Sequence, residues 1–258
     1  MKSRVVAYAV SGVIVVVGCT SSHQRQGLAA TERTDSAAHT VNAPLEGLFI
    51  ATSDTPYGAW LMYLDPDSSS RGAMYEPSGS LAICDLAVGP RTVAFRSASD
   101  GSKHYRFDGR PQGTGFTGSL EVADSTAGDV KGRFDIAARF LTRTLATAPG
   151  NIDGEYRSLT VSPSTGDSQG TKLVLVSWLD SIAGVWVPYD GGASAVNALA
   201  GLRRGDTLLF AWHSAIGVEA DTGVLHGDTI VFPADSGRLV RQGVLGEILR
   251  GPSVHQCH

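Results

Sequence analysis

The chain lacks any excess of positive charge, and this limits the partners that it can bind. Its 21 lysines and arginines are outnumbered by 25 aspartates and glutamates, which gives the 258 residues a formal net charge of -4 at pH 7. A mildly acidic protein has little electrostatic attraction for nucleic acid or for anionic lipid headgroups. We therefore expect no nucleic-acid partner.

The chain also lacks several short motifs that mark enzymes. Neither Ser-x-x-Lys nor His-Glu-x-x-His occurs in it. Its glycines lie between predicted strands, whereas a phosphate-binding loop places them between a strand and a helix. We expect no cofactor, and a binding role is favoured over catalysis.

Only one apolar run is prominent, and it lies at the start of the chain. Val5–Val17 follows two basic residues and is shorter than the stretch of about 20 residues that spans a bilayer as a helix. The run ends in Val16-Val17-Gly18-Cys19, which resembles the lipobox of bacterial lipoproteins. The resemblance implies that residues 1–18 are a signal peptide and that Cys19 carries a lipid anchor.

The same resemblance predicts where the protein resides. Thr20 follows the cysteine where an aspartate would favour retention in the inner membrane, so the likeness to Gram-negative lipoproteins implies a cell-envelope protein on the outer membrane, facing the periplasm. An ordinary secretory signal, or an anchor that stays uncleaved, is the alternative. The predicted partner of the N-terminus is thus the membrane, through the lipid.

The rest of the chain divides into a tether and a folded part. Residues 19–44 mix Ser, Thr, Ala, Gln and charged residues without apolar periodicity, as a flexible segment does. The folded part is predicted to begin at Leu45. We expect a first β half over 45–148 and a second β half over 149–258.

Strand signals dominate both halves. Short runs of aliphatic and aromatic residues recur about every 8–12 residues between clusters of Gly, Asp, Ser and Pro, which predicts an all-β antiparallel meander with two similar barrel-like or sandwich-like halves. Only Ser194–Leu202 and Val244–Arg250 are predicted as short helices. The predicted strands are Leu45–Thr52, Ala59–Leu64, Gly72–Glu76, Thr92–Ser97, His104–Asp108, Phe116–Val122 and Gly132–Phe140 in the first half, and Ile152–Val161, Lys172–Trp178, Gly184–Tyr189, Thr207–His213, Gly223–His226, Thr229–Phe232 and Val240–Leu249 in the second.

The two halves resemble each other in the order of their short motifs. Leu45-Glu46-Gly47-Leu48-Phe49 opens the first half and Ile152-Asp153-Gly154-Glu155-Tyr156 opens the second. Later, Thr92-Val93-Ala94-Phe95 corresponds to Thr207-Leu208-Leu209-Phe210. The preserved order favours an internal duplication. Chance likeness between two glycine-rich meanders is the alternative.

A closed barrel is the expected solution for such hairpins, because closure leaves no exposed sheet edge. Gly58-Ala59-Trp60 and Gly184-Val185-Trp186 are similar to the Gly-x-Trp of lipocalins, a family of calycin-type β-barrels. Both triplets fall in later strands than the lipocalin motif does, and no Thr-Asp-Tyr companion occurs. The resemblance therefore implies a barrel architecture and transfers no functional residue.

The chain has only three cysteines, and the lipobox resemblance assigns Cys19 to the lipid. In an oxidising compartment the other two, Cys84 and Cys257, are predicted to form a disulfide. The alternative is a metal site at the C-terminus, where His255 and His258 flank Cys257. That site lacks a clear fourth ligand, so we expect no bound metal.

Aromatic residues in corresponding strands are the candidate ligand-binding residues. If Trp60, Trp186, Trp212 and Tyr189 line a barrel interior, they can bind an apolar or ring-bearing ligand; core packing is the alternative. Basic side chains near the ends of both halves are hypothesised to close the barrels by stacking on aromatics. These are Arg139, Arg143, Arg241 and Arg250.

Three functions remain open from the sequence. The first is a non-enzymatic module that binds a small apolar ligand or a partner protein, and the second is a structural or assembly lipoprotein of the envelope. The third is a hydrolase or isomerase that uses His213 and a nearby acid. His104 and His226 also lie in or beside predicted strands, although isolated strand histidines are more often surface residues.

Overall fold

The computed structural model describes residues 45–53, 58–67, 72–77, 79–145, 151–192, 195–214, 217–234, 237–250 and 257. The predicted signal peptide, Cys19 and the tether lie outside these residues, as do His255 and His258. Within the described ranges, no helix is both long and apolar enough to cross a membrane.

The chain forms two closed antiparallel barrels of eight strands each, which confirms the predicted all-β fold of two similar halves. Within each barrel every strand pairs with its neighbours in sequence, and the last strand pairs with the first. The first barrel contains β1 (Gly47–Ser53), β2 (Ala59–Leu64), β3 (Gly72–Glu76), β4 (Gly79–Val88), β5 (Val93–Ser97), β6 (Lys103–Gln112), β7 (Gly115–Asp124) and β8 (Val130–Thr142).

The second barrel repeats this arrangement and ends in a short helix. Gly154 opens its first strand as Gly47 opens β1, in agreement with the two similar sequence motifs. Its elements are β9 (Gly154–Val161), β10 (Ser168–Trp178), β11 (Ser181–Asp190), β12 (Asn197–Arg204), β13 (Thr207–Ser214), β14 (Gly217–His226), β15 (Thr229–Phe232), β16 (Gly237–Val244) and α1 (Leu245–Arg250).

The sequence predictions missed the fourth strand of each barrel. No strand was predicted over β4, and the helix predicted at Ser194–Leu202 is wrong because β12 occupies that segment. Asn-Ala-Leu-Ala-Gly-Leu-Arg-Arg in β12 is rich in helix-forming residues, but pairing with both neighbouring strands overrides this preference. The helix predicted at Val244–Arg250 corresponds to α1.

Alternation along the strands fills the interior of each barrel. In the first barrel Phe107 lies between Phe95 and Phe116, with ring centroids 5.2 Å away on either side. In the second, Phe210 and Phe232 approach to 5.9 Å and pack with Leu173 and Leu239. The aliphatic and aromatic residues at every second position are therefore the two cores.

The barrels pack against each other through outer strand faces. Leu61 and Tyr75 from β2 and β3 share one buried apolar cluster with Val174 and Val185 from β10 and β11, and Leu245 of α1 joins it. We call this contact region the seam. A strand that faces the other barrel is buried on both of its faces. The sequence of β2 is therefore the continuous apolar run Ala-Trp-Leu-Met-Tyr-Leu and does not alternate between apolar and polar residues.

Polar contacts also cross the seam. The Tyr75 hydroxyl donates to Glu155 Oε2 at 2.5 Å, and both residues are buried. Lys172 Nζ and the Tyr189 hydroxyl donate to the Pro77 carbonyl oxygen at 2.6 and 3.0 Å. These hydrogen bonds satisfy polar groups that would otherwise be buried without partners.

A disulfide joins Cys84 on β4 to Cys257, in agreement with the predicted pairing. The two Cα atoms are 5.9 Å apart, and 173 positions separate the cysteines in sequence. The bond links the C-terminal residues to the first barrel. With its sulfur in this bond, Cys257 does not supply a thiolate to a metal.

Candidate ligand-binding site

One end of the second barrel is an open cavity of about 440 Å³. We call this end the mouth; it is the end at which strands β9, β11, β13 and β15 finish. Ligand pockets commonly have volumes of about 300–1,000 Å³, so the mouth is large enough for a small organic molecule. The residues that line it include Ser158, Thr171, Trp186, Trp212, Glu219, Asp221, Phe232 and Leu239.

Two tryptophans form the aromatic wall of the mouth. The rings of Trp186 and Trp212 stack with centroids 5.0 Å apart and planes inclined by 8°. Phe232 meets Trp186 edge-on, with centroids 6.0 Å apart and an angle of 83°. Both tryptophans are only partly buried, so aromatic surface remains open to a ligand.

Strand alternation explains why these rings point inward. Trp212 lies two and four residues after Phe210 and Leu208, which are core residues of the second barrel. Trp186 likewise follows the inward-facing Ile182 and Gly184 on β11. A two-residue period places all of these positions on the inner face.

Carboxylates project into the mouth. Among the described residues, strand register places no other kind of charged side chain on its inner face. Glu219 of β14 pairs with Trp212 of β13, and Asp221 pairs with Phe210. Cross-strand partners project from the same face of a sheet, so both acids face inward. Neither forms an ion pair in the described part of the chain, and Asp221 accepts a hydrogen bond from the Thr222 amide at 2.7 Å.

A buried amide lies next to the tryptophan pair. Asn197 opens β12 and pairs in register with Trp186, two residues before the core residue Leu199. Its side chain therefore faces the barrel interior, and the residue is only 5% exposed. Among the described residues, Asn197 Oδ1 has no hydrogen-bond donor. A buried acceptor without a donor is costly to the fold, and Asn197 is not among the residues that line the cavity.

At the opposite end of the second barrel, Arg241 packs on Tyr156. Its guanidinium lies 5.8 Å from the Tyr156 ring centroid, and Nη2 donates to the Asp153 carbonyl oxygen at 2.6 Å. This contact agrees with the stacking on an aromatic ring that was hypothesised for Arg241. Arg139 and Arg143 are instead exposed on or beside β8, and the Arg250 side chain lies outside the described part of the structure.

Several buried polar groups around Arg241 have internal partners, whereas Arg241 Nε is buried without an acceptor among the described residues. Asp153 Oδ1 accepts from the Ser177 amide at 2.7 Å and from the Ser177 hydroxyl at 2.6 Å, while burial raises the pKa of the Asp153 carboxyl. The Tyr156 hydroxyl donates to the Ile152 carbonyl at 2.8 Å, and burial raises its pKa to about 12. These hydrogen bonds hold this end together, and a second cavity of about 480 Å³ lies here, with Tyr156, His226, Asp228 and Arg241 in its lining.

The first barrel has no comparable aromatic mouth among its described residues. Trp60 is buried in its core and packs on Phe134, with centroids 5.5 Å apart. Nearby, the fully buried Glu76 accepts hydrogen bonds from the Tyr105 hydroxyl at 2.6 Å and from Lys103 Nζ at 2.9 Å. Burial, followed by the Glu76 charge, raises the pKa of Tyr105, which keeps this hydroxyl a donor.

The predicted ligand-binding residues thus separate into three places. Trp186 and Trp212 come together at the mouth, Trp60 lies in the core of the first barrel, and Tyr189 lies at the seam. Sequence reasoning did not identify Glu219, Asp221 or Asn197. The spacing of Glu219 and Asp221 places them on one strand face, but only the pairing register shows that this face is the inner one.

The histidines do not converge. His213 pairs with Val218 near the start of β14, whereas His226 lies at the end of that strand, and His104 belongs to the first barrel. No group of three metal-binding side chains occurs among the residues that the structure describes.

One Gly-x-Ser-x-Gly sequence occurs, at Gly166–Gly170. In a nucleophile elbow this sequence joins a strand to a helix. Here it joins β9 to β10 in a hairpin, and no described histidine hydrogen-bonds to Ser168.

No known protein family, curated protein or solved structure shows significant similarity to this chain. The chemistry of the site is therefore the basis for proposing a function.

Proposed function

We propose that this protein is a lipid-anchored binding module of the bacterial cell envelope that holds a small, ring-bearing or apolar ligand in the mouth of the second barrel. The observation that carries the proposal is the stacked pair Trp186 and Trp212 in a cavity of about 440 Å³. Partly exposed, rigid aromatic faces in a concave site are a common means of holding an organic ligand.

The contrast between the two barrels supports this proposal. Both are closed and filled by apolar side chains, yet only the second places stacked tryptophans at an open end, within the described residues. If these rings served packing alone, burying them would stabilise the fold more than leaving them half open. A binding role accounts for aromatic surface that the fold does not use.

The membrane anchor is the second part of the proposal, and it derives from the lipobox resemblance at Cys19. Acyl chains on Cys19 would hold the barrels close to a membrane, because each buried methylene contributes about 0.8 kcal/mol. Cys19→Ser expressed in a Gram-negative host should move the protein from the membrane fraction to the soluble fraction. Continued membrane retention of the variant would contradict this part.

Ligand binding is tested with the neutral dye N-phenyl-1-naphthylamine, whose fluorescence rises in apolar sites. The unaltered protein should bind the dye with a measurable Kd, and Trp212→Leu should weaken that binding by about tenfold, since one large aromatic wall is lost. Trp178→Leu is the matched control, because Trp178 packs at the seam and not in the mouth.

A second variant distinguishes loss of the binding site from a folding defect in Trp212→Leu. Ser158→Arg, at an exposed lining position, places a long side chain across the mouth without altering the core. It should also weaken dye binding while circular dichroism stays unchanged. Equal dye affinity in all four proteins, or no dye binding by the unaltered protein, would refute the proposed binding function.

A further inference from the structure

We infer that the mouth selects a positively charged ligand: a molecule that carries an ammonium group on an aromatic or apolar body. This inference rests on the proposed binding function and specifies the chemistry of its ligand. Two features of the inner face carry it: a pair of carboxylates and a half-open tryptophan pair, all of which line the same cavity.

The two carboxylates favour a ligand with a positive charge. Glu219 and Asp221 both face inward from β14, and neither has a cationic partner in the described part of the chain. Two carboxylates near an apolar wall repel each other and attract a cation, and the attraction strengthens where the wall lowers the local dielectric. A bound ammonium group is the counter-ion that this arrangement lacks.

The basic residues around the mouth do not pair with the two acids. Arg238 lines the mouth, but it lies one position before the core residue Leu239 and is exposed, and it forms no ion pair with either acid. Arg157 hydrogen-bonds to Glu155, and Lys172 donates to Pro77 at the seam. Strand register therefore places no described cation on the inner face at the mouth.

The aromatic groups favour the same ligand. A cation over an indole face is attracted by the ring quadrupole, and tryptophan is the best aromatic for this interaction. Carboxylates and indole faces in one cavity thus point to one ligand chemistry, whereas an anionic ligand would be repelled by the carboxylates.

Three probes of similar size and different charge test the inference at pH 7: 2-phenylethylamine, 2-phenylethanol and phenylacetate. Isothermal titration calorimetry should give a Kd for the amine about fivefold lower than that for the alcohol, as a partly exposed cation–π contact supplies. Phenylacetate should bind more weakly than the alcohol. Raising the ionic strength should weaken only the amine's binding.

Charge-neutralising variants assign the selectivity to the two acids. Glu219→Gln and Asp221→Asn should each raise the Kd of the amine by about threefold and leave that of the alcohol unchanged. Glu247→Gln, at an exposed position on α1, is the matched control and should alter neither Kd.

The outcomes separate this inference from the proposed function. Equal Kd values for the three probes, tighter binding of phenylacetate, or failure of the amine to bind a protein that still binds N-phenyl-1-naphthylamine would overturn cation selection alone. Loss of binding to every probe and to the dye would overturn the proposed function, and the inference with it.

Discussion

The hydrogen bond between Tyr75 and Glu155 should make a measurable contribution to the stability of the two barrels together. Tyr75 is 1% exposed and Glu155 is 3% exposed, and their oxygens are 2.5 Å apart across the seam. Burial raises the pKa of Tyr75 well above its ordinary value, so the hydroxyl remains a neutral donor throughout the physiological pH range. Tyr75→Phe removes this donor with almost no change in volume.

The expected loss of stability in Tyr75→Phe follows from the contacts that Glu155 keeps in the variant. Glu155 keeps its contact with Arg157 but loses its partner from the first barrel. A hydrogen bond to a charged group contributes about 1.5–3 kcal/mol to stability. Tyr75→Phe should therefore lower the free energy of unfolding by about 2 kcal/mol, which shifts a urea midpoint by about 1 M for a slope of about 2 kcal/mol/M.

A double-mutant cycle isolates the pair from other consequences of each substitution. Glu155→Met replaces the carboxylate by an apolar side chain of similar length. In that background Tyr75→Phe should change the free energy of unfolding by less than about 0.5 kcal/mol. Urea unfolding followed by tryptophan fluorescence provides the four stabilities. An equal cost of Tyr75→Phe in both backgrounds would refute the role assigned to this hydrogen bond.

Three further predictions concern the disulfide, the stability of the fold at high pH and the packing around a strand glycine. Cys84→Ser/Cys257→Ser should lower the free energy of unfolding by up to about 5 kcal/mol, because the bond closes a loop of 173 positions; a loss below about 1 kcal/mol in guanidinium unfolding would contradict this. Since the pKa of Tyr156 rises from 10.0 to about 12 on folding, the folded state keeps a proton that the unfolded state loses, so stability should fall as pH rises through this window. Tyr156→Phe should make this fall in stability with pH shallower, as measured by thermal unfolding at a series of pH values. A fall as steep as that of the unaltered protein would contradict the prediction. Gly184→Ala should cost about 1–3 kcal/mol, because its Cβ would meet the Val174 carbonyl oxygen, whereas Gly192→Ala has open space and should be near neutral by the same assay.

Much of the architecture was predictable because local patterns and tertiary structure agree. Thr207–His213 shows a two-residue apolar alternation, and it is strand β13 with Leu208 and Phe210 inside. The motifs that begin with Leu45 and Ile152 both lead into the first strand of a barrel. Fold class and the twofold division therefore follow from periodicity and repetition.

The errors fall where local preference opposes tertiary pairing. In β12, alanine and leucine favour a helix, and only the neighbouring strands β11 and β13 hold the segment extended. In β4, a bulge between Cys84 and Ala87 interrupts the alternation, and Asp85 has a positive φ of 50°. A pattern search cannot follow a strand whose side chains change faces at a bulge.

The candidate site was only half predictable, and the reason is geometric. Tryptophan content identified Trp186 and Trp212 as candidates, but it grouped them with Trp60 and Tyr189, which lie in the first core and at the seam. Glu219 and Asp221 look like turn or surface acids until their partners in β13 are known. Which face of a strand becomes the interior depends on the whole closed sheet.

The sequence by itself determined the all-β class, the two similar halves and the pair of cysteines available for a disulfide, because strand alternation, repeated motifs and residue counts are local or additive properties. Only the tertiary structure decided that the outer faces of β2 and β10 meet at the seam, that Arg241 stacks on Tyr156 at one barrel end, and that the other end presents tryptophans beside carboxylates. Those features depend on strand register and barrel closure, which join residues far apart in the chain.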